Sequence, residues 1–426
     1  MNNQVVPGSE LSKLRILLIV ALVSFGSSVL FQIIYLRFVF YQPIIEALSI
    51  TNTQLGALGG VYGMVATICY LPGGIIADKM RAKYLASGGF ISTALVTFWF
   101  ALLPSYNSLL IIFGLFGATS VLIFWGIRYK LVRLVSSEKS YPKNIGLSYG
   151  IYGLAGLVLN FIALKVFEFS GTDAAAGLVT ILIISAILNL IFGVATLFIV
   201  PKFDDEIKVN TSFNINEFVE AIKHPGVWLT TASMFFVYGA YAALTYTTPY
   251  LTEIFGASLA LVSIISMIRT YGISLFSAPI IGGIATKINS PAKVLVLIMA
   301  LTAISGVILA FLPTTQAMLI VAIIVVLVAG FFTSGAYGIA SSQFTESGVP
   351  TRIFGTATGI LSVIAFLPDM FVYPMAGKWL DQNPGLTGYQ YIFYFIIAFS
   401  LAAVFCSLAI RIYAQKKVNL VEADGI

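Results

Sequence analysis

Apolar stretches long enough to cross a bilayer recur along the whole chain, separated by short polar breaks. A hydrocarbon core about 30 Å thick needs about 20 residues of helix at about 1.5 Å rise each. On that measure the pattern predicts twelve helices, over 14–42, 54–77, 84–104, 108–132, 144–168, 176–200, 227–250, 259–285, 292–312, 316–342, 354–378 and 389–412. Strict alternation over about ten residues, the mark of a membrane barrel strand, is absent. The expected fold is therefore all-α and membrane-embedded. Glycine and proline inside these stretches fit helices whose neighbours re-satisfy the freed backbone groups.

Composition sharpens this picture. The chain is 59% hydrophobic and 9% charged, against about 25% charged in a soluble domain. A soluble globule is excluded. The apolar run after Lys13 and Arg15 is too long for a signal-peptide core and reads as a retained first span. Cys69 and Cys406 fall in separate apolar stretches and read as packing residues, not a disulfide or metal pair.

With the N-terminus inside, most basic residues sort to the cytoplasmic side, among them Lys13, Lys79, Arg81, Lys130, Arg133, Lys202, Arg352 and Arg411. Lys165 and Lys378 lie towards the outer face. This satisfies the positive-inside rule and places both termini in the cytoplasm of a plasma membrane, the inner membrane in a bacterium. The net charge of +6 is spread over short loops, which fits anionic lipid rather than nucleic acid. Arg128, near the end of the fourth span, reads as part of the cytoplasmic anchor, with reach into an inner cavity as the alternative.

The longest polar stretch divides the chain into two expected bundles, 1–200 and 226–426, with 201–225 as a linker. Within it, Phe213 to Ile222 is amphipathic, and Asn214 followed by Glu217 has the form of a helix N-cap. A short surface helix and a solvated linker both fit. An offset of about 209 residues matches Gly73, Gly74 and Ile75 to Gly282, Gly283 and Ile284, and Gly146 and Gly150 to Gly355 and Gly359. The matches fall in the second and eighth, and the fifth and eleventh, spans. That is the signature of a six-plus-six duplication, and it predicts two pseudo-symmetric six-helix bundles around a central cavity.

The loop Gly73-Gly74-Ile75-Ile76-Ala77-Asp78-Lys79-Met80-Arg81-Ala82-Lys83 resembles the loop signature of the major facilitator superfamily. The resemblance implies the major facilitator fold, and a cytoplasmic gate built from Gly74, Asp78, Lys79 and Arg81. Glycine permits close helix approach, the acid suits a helix N-terminus, and the bases suit anionic headgroups. Arg81 and Ala82 stand where the family usually has glycine and a base, so a weakened latch is expected. In the copy at Gly282, Thr286 and Lys287 replace the acid, and the two halves are expected to close asymmetrically.

Charges within spans cost roughly 2.5–3.5 kcal/mol each on insertion scales and mark function. Arg269 lies near the middle of the eighth span, before Tyr271 and Gly272. Arg37 lies in the outer half of the first, beside Tyr35, where it faces a cavity, snorkels, or pairs with Glu46. A guanidinium is a planar fork suited to carboxylate or phosphate. Asp369, between Pro368 and Pro374, reads as a proton carrier, a counter-ion for Arg269, or a kink residue reaching outer water. Tyr238, Tyr241 and Tyr246 on the seventh span, with Tyr35, are candidate lining residues.

Tyr35-Leu36-Arg37 ahead of Pro43, Pro249-Tyr250-Leu251, and Phe354 to Gly359 further resemble the organophosphate/phosphate antiporter branch, which includes the sugar-phosphate permeases. That resemblance implies that Arg37 binds phosphate, with a partner arginine on the seventh span. Here Tyr238 and Tyr241 occupy that neighbourhood, so either Arg269 substitutes from the eighth span or a different solute is carried.

The expected protein is a monomeric secondary transporter of a small organic solute, foremost an organic anion, moved by alternating access as symport or antiport. Its partners are the solute, the bilayer, and a coupling proton or counter-transported anion. Proton-coupled uptake of an amino acid or nucleoside, and efflux of lipophilic compounds, are the alternatives. Its one histidine, His224, sits before Pro225 at a span edge. No nucleophile–base pair or metal cluster is legible, so neither catalysis nor a cofactor is expected.

Overall fold

The computed structural model describes residues 5–6, 11–138, 140–204, 206–207 and 215–423. Among these, twelve helices are long and apolar enough to span a membrane. They run Lys13–Phe38, Asn52–Lys79, Ala82–Ala101, Tyr106–Leu134, Lys143–Ser170, Ala174–Ile199, Pro225–Phe255, Leu259–Ile288, Pro291–Phe311, Gln316–Glu346, Thr351–Gln382 and Leu386–Lys416. The predicted order is kept, and most helices extend past the hydrophobic stretch that announced them.

Local chemistry sets many of the ends. Ser12, Asp173, Ser258 and Ser290 cap four helices by accepting from the backbone N–H three residues on, which satisfies a donor the helix cannot use itself. Pro225 and Pro291 open their helices, where a missing N–H costs nothing. Gly256 ends a segment of the seventh span with φ 63°, a left-handed turn that glycine enters without strain. Two helices contain π-helical turns, Ala118–Trp125 in the fourth span and Ile268–Gly272 in the eighth.

The chain forms two compact units, Met1–Thr51 with Ala57–Ser212, and Asn52–Gly56 with Phe213–Ile426. In the first, the third and sixth spans and the first and fifth pack along their lengths. In the second, the ninth and twelfth and the seventh and twelfth do so. The first turn of the second span, Asn52–Gly56, counts with the second unit. There Asp381 accepts from the backbone N–H of Thr53 at 2.7 Å and from Asn52 Nδ2 at 2.9 Å. Gly377 makes that approach possible, since a Cβ on it would lie 2.2 Å from the Asn52 carbonyl oxygen.

The described parts of the linker each pack on one of the units. Lys202–Phe203 pairs in parallel with Val5–Val6 as a two-residue β bridge. A helix, Ile215–Lys223, packs on the start of the eleventh span, tied there by a two-bonded pair of Glu220 with Arg352, both bonds 2.5 Å. The amphipathic segment is thus helical from Ile215. Phe213 and the expected cap Asn214 lie outside the described residues, as do Lys139, Asp205 and Lys208.

Candidate functional site

The eighth span departs from α-helix at its arginine. The π turn Ile268–Gly272 contains Arg269, which is 6% exposed. A π turn widens the helix by one residue and is frequent at functional sites. Arg269 Nη1 donates to Thr247 Oγ1 at 2.5 Å and to the Leu244 carbonyl at 3.2 Å. Nη2 donates to Thr270 Oγ1 at 3.4 Å. Both Leu244 and Thr247 belong to the short 3-10 break and restart of the seventh span, where turned-out carbonyl and hydroxyl groups can meet a cation. Gly330 of the tenth span makes room for the arginine stem: a Cβ there would stand 2.8 Å from Arg269 Cγ.

Asp369, at the start of the second segment of the eleventh span, is 6% exposed. That burial speaks against a reach to outer water, while the kink itself is present: the helix breaks at Phe366 and Leu367, just before Pro368 and Asp369. Its Oδ2 accepts from the Tyr238 hydroxyl at 2.9 Å. Tyr238, Tyr241, Tyr337 and Phe366 form a cluster of rings with centroids 4.8–6.4 Å apart. The Tyr241 phenol lies within electrostatic range of both Arg269 and Asp369. Cation, phenols and carboxylate thus gather in the second unit on the seventh, eighth and eleventh spans. Tyr246 is buried nearby in sequence, but its hydroxyl donates to the Tyr373 carbonyl at 2.9 Å.

In the first unit Arg37 sits in the 3-10 turn Leu36–Phe38 and is 5% exposed. A snorkelling side chain would carry its head outward, so that reading is corrected. The guanidinium lies over Gly59, where an added Cβ would fall 1.7 Å from Nη1, and over the Phe38 ring at 5.1 Å. Tyr35 stacks on Phe38 and its hydroxyl is 3.4 Å from that of Tyr62.

At the gate loop, Asp78 is half-buried and Lys79 exposed at the end of the second span. Gly74 faces open space, and the glycine in close approach is Gly73, where a Cβ would lie 2.8 Å from the Val121 carbonyl oxygen. Lys130 donates to the Ala77 and Met80 carbonyls, complementing the negative end of that helix. Arg81 does not leave the loop slack: its Nη1 bonds Glu206 Oε1 at 2.8 Å, and Glu206 Oε2 accepts from the Ala82 N–H at 3.0 Å. The side chain of Glu206 is fully buried. In the second unit Glu346 does the corresponding work, accepting from Ser290 Oγ at 2.5 Å and the Ala292 N–H at 2.7 Å.

Sequence reasoning missed Glu206, Glu346, Gly59, Gly330 and Tyr337. Their roles depend on burial and on side chains from other helices, and the duplication gives a signal only for two charges already noted. The offset that carries Gly73 to Gly282 also carries Asn160 to Asp369 and Arg37 to Tyr246. Both charges therefore stand where the other half has a neutral polar residue, which marks them as departures from the duplicated plan.

With this geometry in hand, the family model of the Major Facilitator Superfamily matches residues 16–371. The chain belongs to that superfamily. Among curated relatives it is 29% identical to the inner membrane protein YqcE of Escherichia coli, over 87% of this chain and 88% of the relative. It is 23% identical to the nitrite extrusion protein of Bacillus subtilis, over 87% and 88%. Two solved structures share the fold. A bacterial homologue of the lysosomal transporter Spinster, inward-facing and unoccupied, has TM-score 0.73 and 17% identity, covering 95% of this chain and 98% of that one. The nucleoside transporter NupG has TM-score 0.69 and 16% identity, covering 94% and 99%. The protein is a multi-pass membrane transporter of this superfamily, with twelve candidate spans among the described residues.

Proposed function

We propose that the protein moves a small organic anion across the membrane by alternating access, and that the second unit binds it at Arg269. The observation that carries this reading is a guanidinium buried at mid-span in a π turn, with the Tyr241 phenol in its electrostatic range and a hydrogen-bonded Tyr238–Asp369 pair in the same unit. A buried arginine is costly in a bilayer and is retained where its fork recognises an oxyanion. The name of the Bacillus relative points to nitrite, itself an anion, which is consistent with a positively charged site. Arg37, buried on Gly59 in the first unit, is in this reading an anion contact of that unit by itself. The loop of Asp78, Lys79 and Arg81 acts as the gate latch, with Glu206 as its keeper.

A specific observation also favours proton coupling. Asp369 accepts from Tyr238 and shares the electrostatic field of Tyr241 with Arg269. In this reading Asp369 is the group that carries the coupling proton during the transport cycle. A zwitterionic nutrient, held by its carboxylate at Arg269, fits the same arrangement.

The test is a thermal-shift screen of the purified chain against organic acids, phosphorylated sugars, amino acids and nucleosides, followed by liposome uptake of the best ligand. Arg269→Gln removes both the shift and the uptake, whereas Lys378→Gln on the exposed surface leaves them. Normal uptake by Arg269→Gln would overturn the assignment.

A further inference from the structure

Arg128 is not the headgroup anchor its position in the sequence suggests. It lies in the fourth span just beyond the π turn Ala118–Trp125 and is 8% exposed. Three tyrosine rings surround the guanidinium, with Cζ 4.6 Å from the Tyr149 centroid, 4.8 Å from Tyr152 and 5.8 Å from Tyr129. Nε donates to Ser148 Oγ at 3.1 Å, and Ser148 in turn meets Ser24 Oγ at 2.7 Å. The arginine is therefore held in one orientation by the first, fourth and fifth spans of the first unit. Its Nη2 is buried and has no hydrogen-bond partner. Among the described residues no carboxylate pairs with it.

A buried guanidinium with a donor left over is expensive, and the protein has not removed the cost with an acid of its own. The tyrosine faces compensate the charge only partly, because a ring quadrupole attracts a cation without accepting its N–H. An oxyanion supplies what is missing, a pair of acceptors in the plane of the fork. The cage is also openable. Tyr149 is half exposed, and its hydroxyl is held to that of Tyr129 by one contact of 3.1 Å. Gly146, one turn earlier on the fifth span, presents open space where a side chain would otherwise stand.

The cage does not stand alone within the unit. Tyr129 meets Trp125 at 5.8 Å, Trp125 meets Phe31 at 6.0 Å, and Phe31 stacks on Tyr35 at 6.0 Å. Tyr35 stacks on Phe38, over which Arg37 lies. A continuous run of rings thus joins two buried arginines in the first unit. We infer that Arg128, caged by Tyr129, Tyr149 and Tyr152, is a separate binding station for a carboxylate or phosphate group. It stands at one end of an aromatic track whose other end is Arg37. The inference does not depend on binding at Arg269.

Trp125 reports on it directly. In the full-length chain carrying Trp99→Phe, Trp228→Phe and Trp379→Phe, Trp125 is the single indole, and its ring contacts Tyr129. Sodium benzoate and inorganic phosphate are titrated separately at constant ionic strength, with chloride as the reference anion. At least one of the two oxyanions changes Trp125 emission saturably beyond chloride. The apparent affinity falls about tenfold or more in Arg128→Gln, as expected when two charge-assisted bonds are lost. It persists in Arg269→Gln. Arg128→Lys, which keeps the charge but loses the fork, weakens binding while the thermal midpoint stays near that of the parent, so a loss through misfolding is told apart from a loss of recognition. No saturable response to either oxyanion would overturn the inference. So would equal affinity in Arg128→Gln and Arg128→Lys and their parent, or a response abolished by Arg269→Gln alone, which would assign it to the second unit.

Discussion

The hydroxyl of Tyr238 donates to Asp369 at 2.9 Å, joining the seventh span to the eleventh through a bond between a phenol and a buried carboxylate. Hydrogen bonds to a charged group contribute about 1.5–3 kcal/mol. Tyr238→Phe keeps the ring packing on Phe366 and Tyr337 and removes only the donor. Uptake in liposomes should fall about tenfold with little loss of folded protein, since about 1.4 kcal/mol corresponds to a factor of ten. Unchanged uptake would separate Tyr238 from the transport cycle.

Asp369→Asn tests coupling. The amide keeps the shape and an acceptor for Tyr238 but does not titrate. Uptake driven by an inward proton gradient should be lost, while the ligand-induced thermal shift at Arg269 survives. If proton-driven uptake is unaffected, Asp369 carries no proton and exchange becomes the better account.

Gly59 and Gly330 predict a paired result. Each is bare where a buried arginine passes, at 1.7 Å and 2.8 Å from an added Cβ. Gly59→Ala should therefore reproduce the phenotype of Arg37→Gln, and Gly330→Ala that of Arg269→Gln in weaker form. Each glycine variant combined with its arginine variant should be no worse than the arginine change alone, because neighbours in one unit of function are non-additive. Additive losses would show that the glycines serve helix packing only.

Glu206 and Glu220 make a contrast in stability. Glu206 is buried and accepts from Arg81, Ala82 and Phe203. Glu206→Ala leaves those donors short of an acceptor and should cost about 1–3 kcal/mol. Glu220 and Arg352 are partly open to solvent, and Glu220→Ala should cost under about 1 kcal/mol despite the shorter bonds. Thermal unfolding of the two variants in the same detergent measures the difference. Equal shifts would mean that Glu206 holds nothing.

The twelve spans were legible because the bilayer imposes one length and one composition on each, and the duplication was legible in the glycines at Gly73 and Gly282. Arg269 and Asp369 stood out because a charge inside an apolar run has few bland explanations. Arg128 was misjudged for the opposite reason. Bases near a span end satisfy the positive-inside rule, and no count of flanking lysines tells a solvated arginine from one enclosed by Tyr149 and Tyr152. Glu206 looked like an ordinary linker acid beside Asp204, since its burial depends on the chain folding back to Ala82. Gly59 and Gly330 are two among 37 glycines, and only the path of a side chain on another helix singles them out.

The short pairing of Val5–Val6 with Lys202–Phe203 sets an order of events during synthesis. The first strand leaves the ribosome about two hundred residues before its partner, so the bridge closes only after six spans have been made. Until then the Glu206 clasp on Arg81 is also missing, and the first half must be held together by its helices alone. A tag fused to the N-terminus would burden this late step, whereas one placed after the last span would not.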